Sequence, residues 1–304
     1  MKLPVLGMTV FLLAGPAVAA ADKLDDAFQQ LKDAVAKKEA AQVKKLAAEL
    51  APLVKEALTA PAPAGEEEKQ AWTEHVSYAK GIAEYSEYAL YATALQAPPA
   101  AMVDLIGLLE QQNPCSKYLD AVYGPYLLAL NQTGAAARVP AIAEKALEMF
   151  PENEDLLLVV MESSLTRKQA DRALAFANRL TAVLSKHPKP ETFSVADWER
   201  KRNAGLGRGY WVAGVIYGEK GNYAAADKKL RAALPLIKGN DAMMGPALFH
   251  LGMANYQLGK MTLNKALVLE AAKFSEQSAL IESVYADQAR HNAIVMKAEA
   301  GRMR

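Results

Sequence analysis

Apolar residues recur along this chain at three- and four-residue spacings almost without a break from residue 24 to 300, and no segment alternates apolar and polar positions over the length of a strand. That period gathers the apolar set on one face of a helix. Leu24, Phe28, Leu31 and Val35 form a first stripe. Lys37-Lys38-Glu39 interrupts it, and Val43, Leu46, Leu50, Leu53, Val54 and Leu58 form a second, so an αα-hairpin is predicted over 22–59. In Ala60-Pro61-Ala62-Pro63-Ala64-Gly65 the prolines lack the amide hydrogen a helix requires, and 60–65 is predicted to be a linker and the main domain boundary. Glu66 to Gln96 reads as one long helix. The acidic run Glu66-Glu67-Glu68 suits the positive end of its dipole, and Pro98-Pro99 ends it. Tyr78, Tyr85, Tyr88 and Tyr91 along this helix are expected to form a packing stripe, the alternative being an aromatic-lined ligand pocket.

The rest of the chain repeats. Pro114, Pro151 and Pro188 stand 37 residues apart, each closing one amphipathic helix ahead of the next. A period of this size marks helix pairs that bury their apolar faces only against neighbouring pairs. Ser194 with Asp197 reads as a capping box, and Phe193 with Trp198 as its hydrophobic staple, so a helix is predicted to start at about Val195. Gly205, Gly207 and Gly209 have the composition of a phosphate loop, but nothing before them reads as a strand, and close packing or a bend between helices is expected instead. Further on, Tyr210, Ala213, Gly214 and Tyr217 share a helix face, Gly221-Asn222-Tyr223 makes a turn, and Ala226, Leu230 and Ala233 line the returning helix. Leu248, Leu251, Gly252 and Gly259 renew the pattern, Gly252 and Gly259 each lying 38 residues after Gly214 and Gly221. A closing helix is predicted over 276–300, with Leu280, Ile281, Val284, Ala289 and Ile294 inward and a basic end at Arg302 and Arg304.

These residues resemble the tetratricopeptide repeat (TPR), whose pattern runs Trp-x2-Leu-Gly-x2-Tyr, Gly-x-Tyr, Ala-x3-Phe-x2-Ala and a final Pro. Tyr210, Ala213, Gly214, Tyr217, Gly221, Tyr223, Ala226, Leu230 and Ala233 follow it closely. Leu248, Leu251, Gly252, Gly259 and Ala271 follow it in part, with Tyr256 one residue late and Asn264 where the close-packing Ala belongs. Ala146-Leu147 through Pro151 match the end of a repeat. The resemblance is close over 210–233 and partial over about 120–300. It implies an all-α fold, a right-handed α-solenoid of antiparallel helix pairs across 66–304, with longer loops or helices than the usual stride of about 34 gives. It further implies that the first helix of each pair lines a concave face where a partner binds. By that carry-over Trp211 and Phe249, 38 residues apart, are candidate partner contacts together with Met253 and Tyr256; the alternative is that they pack beneath neighbouring helices. The family's clamp for a terminal carboxylate uses Lys and Asn, which these positions lack, and that role is disfavoured.

Composition narrows the function. Of 304 residues 52% are apolar, enough for a core, and 35 Lys and Arg against 34 Asp and Glu leave a net charge of +1. That balance argues against a nucleic-acid binder working by phosphate neutralisation. Residues 1–20 read as a secretory signal: Met1-Lys2, an apolar run to Ala14, then small residues with cleavage after Ala19, Ala20 or Ala21. An exported, periplasmic and soluble protein is expected, with no integral membrane segment after cleavage. The single Cys115 is expected to be a small buried apolar residue. His75, His187, His250 and His291 have no metal-ligand spacing, and no nucleophile elbow or P-loop is present, so neither metal, cofactor nor catalytic residue is assigned. Glu152 to Asp155 read as a solvated helix start and Arg200-Lys201-Arg202 as a solvated helix face. The expectation is a non-catalytic scaffold or adaptor for a protein or peptide partner. Its alternatives are capture of an apolar small molecule or lipid in a helical groove, and a glycan-processing enzyme with two opposed carboxylates.

Overall fold

Helix ends in this chain are set by prolines, Asn and Ser caps and left-handed turns, and the computed structural model, which describes residues 16–191 and 193–303, puts the boundaries at those signals. Thirteen α-helices and one 3-10 turn account for the regular structure among the described residues, and no strand occurs there. The chain divides into two compact units, Met1–Arg138 and Val139–Arg304. The leader expected over 1–20 falls mostly on residues outside those described, as does Arg304.

The first unit contains α1 (Pro16–Ala36), α2 (Ala40–Thr59), α3 (Glu66–Ala94), α4 (Pro99–Gln112), α5 (Lys117–Gln132) and a 3-10 turn at Ala136–Arg138. Leu31, Leu46, Leu50, Ile82, Leu90, Ile106 and Leu109 are buried in its core. The Pro/Ala stretch 60–65 is a connection inside this unit. α2 packs on α3 across it, and the Trp72 indole N–H donates to the Ala60 carbonyl at 3.1 Å. Proline stops the helix, but the burial of α2 against α3 keeps the two in one core. Polar ties complete the packing: Gln112 donates to the Ala47 carbonyl at 3.0 Å, and Glu87 accepts from Asn113 at 2.8 Å and Ser116 at 2.7 Å.

The second unit contains α6 (Val139–Ala146), α7 (Glu154–Thr166), α8 (Ala170–Lys186), α9 (Val195–Glu219), α10 (Tyr223–Ala233), α11 (Asp241–Met261), α12 (Lys265–Ala279) and α13 (Ala286–Arg302). Each helix packs on the next in sequence, and α7, α9, α11 and α13 also touch one another in succession. Glycines permit the close approaches. A Cβ on Gly214 would lie 2.5 Å from Leu230 Cγ, one on Gly252 2.5 Å from Ser275 Oγ and 3.2 Å from the Ala271 carbonyl oxygen. Gly205 and Gly209 face Leu184 and Thr181 of α8 and Gly207 faces Leu236, so the glycine run of α9 is a packing feature of an unbroken helix. α9 starts where its cap predicts, with Ser194 Oγ accepting from the Asp197 amide at 3.1 Å and Phe193 edge-on to Trp198.

Two expectations change here. The hairpin α9–α10 turns at Gly221 (φ +74°), but α11–α12 turns at Leu263 (φ +52°), and Gly259 lies inside α11 against Val268. α11 therefore runs one helical turn further than the 38-residue stride implies, a change that leaves the apolar period intact and so escapes a pattern reading. The closing helix also begins later. α12 ends at Ala279 and α13 starts at Ala286, leaving Leu280 (87%), Val284 (92%) and Ile294 (66%) exposed. Of the inward set only Ala289 is fully buried, because the non-helical link resets the phase of the stripe.

Candidate functional site

α9 and α11 carry the residues that the sequence nominated, and a ladder of charge holds α9 in place. Lys201 donates to Glu154 at 2.8 Å and Asp155 at 2.7 Å, reaching across to the first turn of α7. Arg208 makes a two-pronged contact with Glu162 of α7, its second prong 2.8 Å long, and lays its guanidinium over the Trp211 ring, 4.8 Å from the centroid. The Trp211 indole N–H in turn donates to the Met243 carbonyl at 2.8 Å, which joins α9 to the start of α11.

On α11 the other three candidates reach towards the end of the chain. Phe249 stacks on Tyr285 with centroids 4.5 Å apart, the Met253 sulfur accepts from Asn292 at 3.2 Å, and the Tyr256 hydroxyl donates to Glu299 at 2.7 Å. All four remain half-buried. The structure thus places each one against a following segment of the array while part of its surface stays in solvent. The repeat-signature residues separate by role. Ala213, Gly214, Ala226, Gly252 and Gly259 are buried helix contacts. Tyr210 packs on the cluster around Leu230 and Leu251, the Tyr217 hydroxyl accepts from Asn178 at 3.2 Å, and Tyr223 lies beside Gly221 at the turn.

Sequence reading missed three polar clusters. Glu154 is buried, with His187 Nδ1 3.2 Å from its second oxygen. Burial pushes its carboxyl up, but the hydrogen bond and charge of Lys201 outweigh that and hold it below the usual carboxylate range. For Lys201 burial acts downward, and Asp155 and Glu154 together carry it above the usual lysine value. Arg202 donates to the Leu184 carbonyl at 2.8 Å, so two of the three residues expected on a solvated face are packed ones. In the second cluster buried Asn255 donates to Asp227 at 2.6 Å and accepts from Arg231, which also binds Glu270. The third is a single buried group, His250, packed edge-on against the Phe249–Tyr285 stack with Nε2 lacking a hydrogen-bond partner, and burial lowers its pKa to about 4. Glu154 and Asn255 have these side-chain partners 24 to 47 residues away, which leaves no local mark that could have signalled the contacts.

The first unit offers different surfaces. Phe28, Tyr85, Tyr88, Tyr118 and Tyr91 make a chain of ring contacts, from Phe28–Tyr85 at 5.3 Å to the stacked pair Tyr91–Tyr118 at 5.2 Å. Tyr78, also against Phe28, and Tyr88 stay 45% exposed, so the stripe packs on one side only. A groove of about 450 Å³ runs along Leu50, Val54, Leu58 and Ala83, with Lys55 and Glu87 among its lining residues. Cys115 is exposed rather than buried, because it falls in the turn before α5, where its amide donates to Asn113 Oδ1 at 3.1 Å. Among the described residues no cluster of three His, Cys, Asp or Glu could hold a metal ion, and no helix is long and apolar enough to cross a membrane. No protein-family model and no curated protein matches the chain.

Proposed function

We propose that this chain is an exported, non-catalytic TPR-like protein, a right-handed α-solenoid that docks a protein or peptide segment as a scaffold or adaptor in the cell envelope. The observation that carries the reading is the pair of half-buried aromatic and sulfur-bearing surfaces, Trp211 on α9 and Phe249, Met253 and Tyr256 on α11, on helices that touch in succession. Such side chains bury much area at little polar cost, which is what recognition hot spots use. The close glycine contacts at Gly214 and Gly252 are of the kind the TPR resemblance calls for. Crosslinking in the native cell, with identification of the captured protein, tests the reading, followed by capture with Trp211→Ala and Phe249→Ala. Loss of that protein with helix content intact supports this surface, and undiminished capture rejects it.

The groove along Leu50 and Val54 favours a second reading, capture of an apolar small molecule or lipid in the first unit. A ligand-free mass for the native protein in gentle ionisation, from material never exposed to detergent, counts against it.

A further inference from the structure

Among the described residues four tight helix hairpins close through one backbone device, a left-handed residue followed by the cap of the next helix: Lys38-Glu39, Lys168-Gln169, Gly221-Asn222 and Leu263-Asn264; the longer α10–α11 link ends the same way at Gly239-Asn240. Three of these turns are polar, reading Lys37-Lys38, Arg167-Lys168 and Lys220-Gly221. The fourth presents Met261 and Leu263, 75% and 82% exposed. The backbone gives no reason for leucine there, since lysine and glycine serve the same conformation elsewhere in the chain. Burial within the unit does not reward these side chains either. The extra turn of α11 carries this tip about 6 Å further along the helix axis than the glycine stride would place it.

The surroundings of the tip are basic. Lys260 and Lys265 bracket it, with no carboxylate between Gln257 and Leu267. Lys265 donates to the Met303 carbonyl at 3.0 Å, which draws the end of α13 and Arg302 to the same end of the unit. The nearby acid Glu299 is engaged by Tyr256 and Lys260. The other exposed apolar pair, Leu280 and Val284, has Glu282 between its members and Asp287 beyond, the opposite charge setting.

We propose that the α11–α12 turn is a peripheral membrane contact that inserts Met261 and Leu263 shallowly into an anionic bilayer surface, with Lys260, Lys265 and Arg302 at headgroup level. A protruding apolar pair with a basic collar suits a lipid interface, where the stems enter the acyl boundary and the cations meet lipid phosphates. The contact uses residues other than the docking surface proposed above, apart from the Lys260–Tyr256 pair, so either can stand without the other.

The test is co-sedimentation of the full chain with vesicles of phosphatidylcholine alone or with added phosphatidylglycerol, at low and high salt. Binding to the anionic vesicles that weakens with salt is expected, and Met261→Ser with Leu263→Ser should lower it about tenfold. Lys265→Gln should lower it on anionic vesicles only. The substitutions lie on an exposed turn, and unchanged circular dichroism and melting confirm that the fold persists. Three results each overturn the proposal: no binding to anionic vesicles, equal binding to both compositions, or undiminished binding by the double serine variant. The last would place the contact elsewhere in the chain.

Discussion

At the scale of single residues, the glycines and one histidine make the sharpest statements. Gly214→Ala would drive a methyl into Leu230 and close to its backbone nitrogen, 3.1 Å away, which cannot move without shifting α10. A loss of about 2 kcal/mol is expected, measurable as a lowered urea midpoint. Gly81→Ala is the control: nothing lies within 4 Å of its added Cβ in α3, and better helix propensity should raise stability by about 0.5–1 kcal/mol. His250 gives a pH dependence of known sign. Its folded-state pKa is lowered to about 4 by burial, against an ordinary value near 6.5. Between those values the unfolded chain takes up a proton that the folded chain refuses. Stability is therefore full above about pH 6.5 and falls on acidification, by about 3 kcal/mol from this group once the pH reaches 4. His250→Leu should flatten the difference between urea midpoints at pH 7 and pH 4.5, and an unchanged difference would assign the acid sensitivity to other groups. The glycine packing was legible because three glycines in one helix need a close neighbour. The buried histidine was not, since Tyr285, which packs against it together with the neighbouring Phe249, comes from a distant segment.

At the scale of elements, helix starts and stops were readable where a residue type enforces them: Ser194 at the start of α9, Pro61 beyond α2, Pro98 as the cap of α4 and Pro99 as its first residue. What joins one helix to another was not. Lys201 and Glu154 are 47 residues apart, and each looked solvated by its local neighbours. Lys201→Met would strand a buried carboxylate, at an expected loss of about 3 kcal/mol and with a rise in the Glu154 pKa. Adding Glu154→Gln should restore most of that stability, because the uncompensated charge is then gone. Without such recovery in guanidinium titrations, the tie between α7 and α9 depends on something other than this pair. The extra turn of α11 was hidden for a related reason: one more turn of helix preserves the apolar period, and only the position of the left-handed residue reveals it.

At the scale of the molecule, burial rather than composition decides what belongs together. Residues 60–65 have the composition of a domain linker, yet the two compact units meet in sequence at Arg138 and Val139, where Gly134 and Pro140 flank the division without a linker-like run of prolines. The second unit ends on α13, whose inner residues Ala293, Met296 and Ala300 cover α12 while Asp287, Arg290, His291 and Lys297 face solvent. Among its large side chains, the solvent-facing side of α13 is thus polar apart from Ile294. Removal of residues 286–304 should bare Val268, Ala271 and Ala272, lower the melting temperature and increase the fluorescence of a dye that binds apolar surface. A truncated chain that melts unchanged would show that α13 contributes no cover.

The ring ladder of the first unit gives the two units distinct optical signatures. Seven of the 12 tyrosines, including the coupled set from Tyr78 to Tyr118, belong to the first unit, whereas Trp198 and Trp211 belong to the second. Trp72 is the one indole of the first unit, and Trp72→Phe would leave red-edge emission reporting on the second unit alone. Near-ultraviolet ellipticity of the stacked phenols would then follow the first, so that the unfolding order of the two halves becomes readable in a single titration.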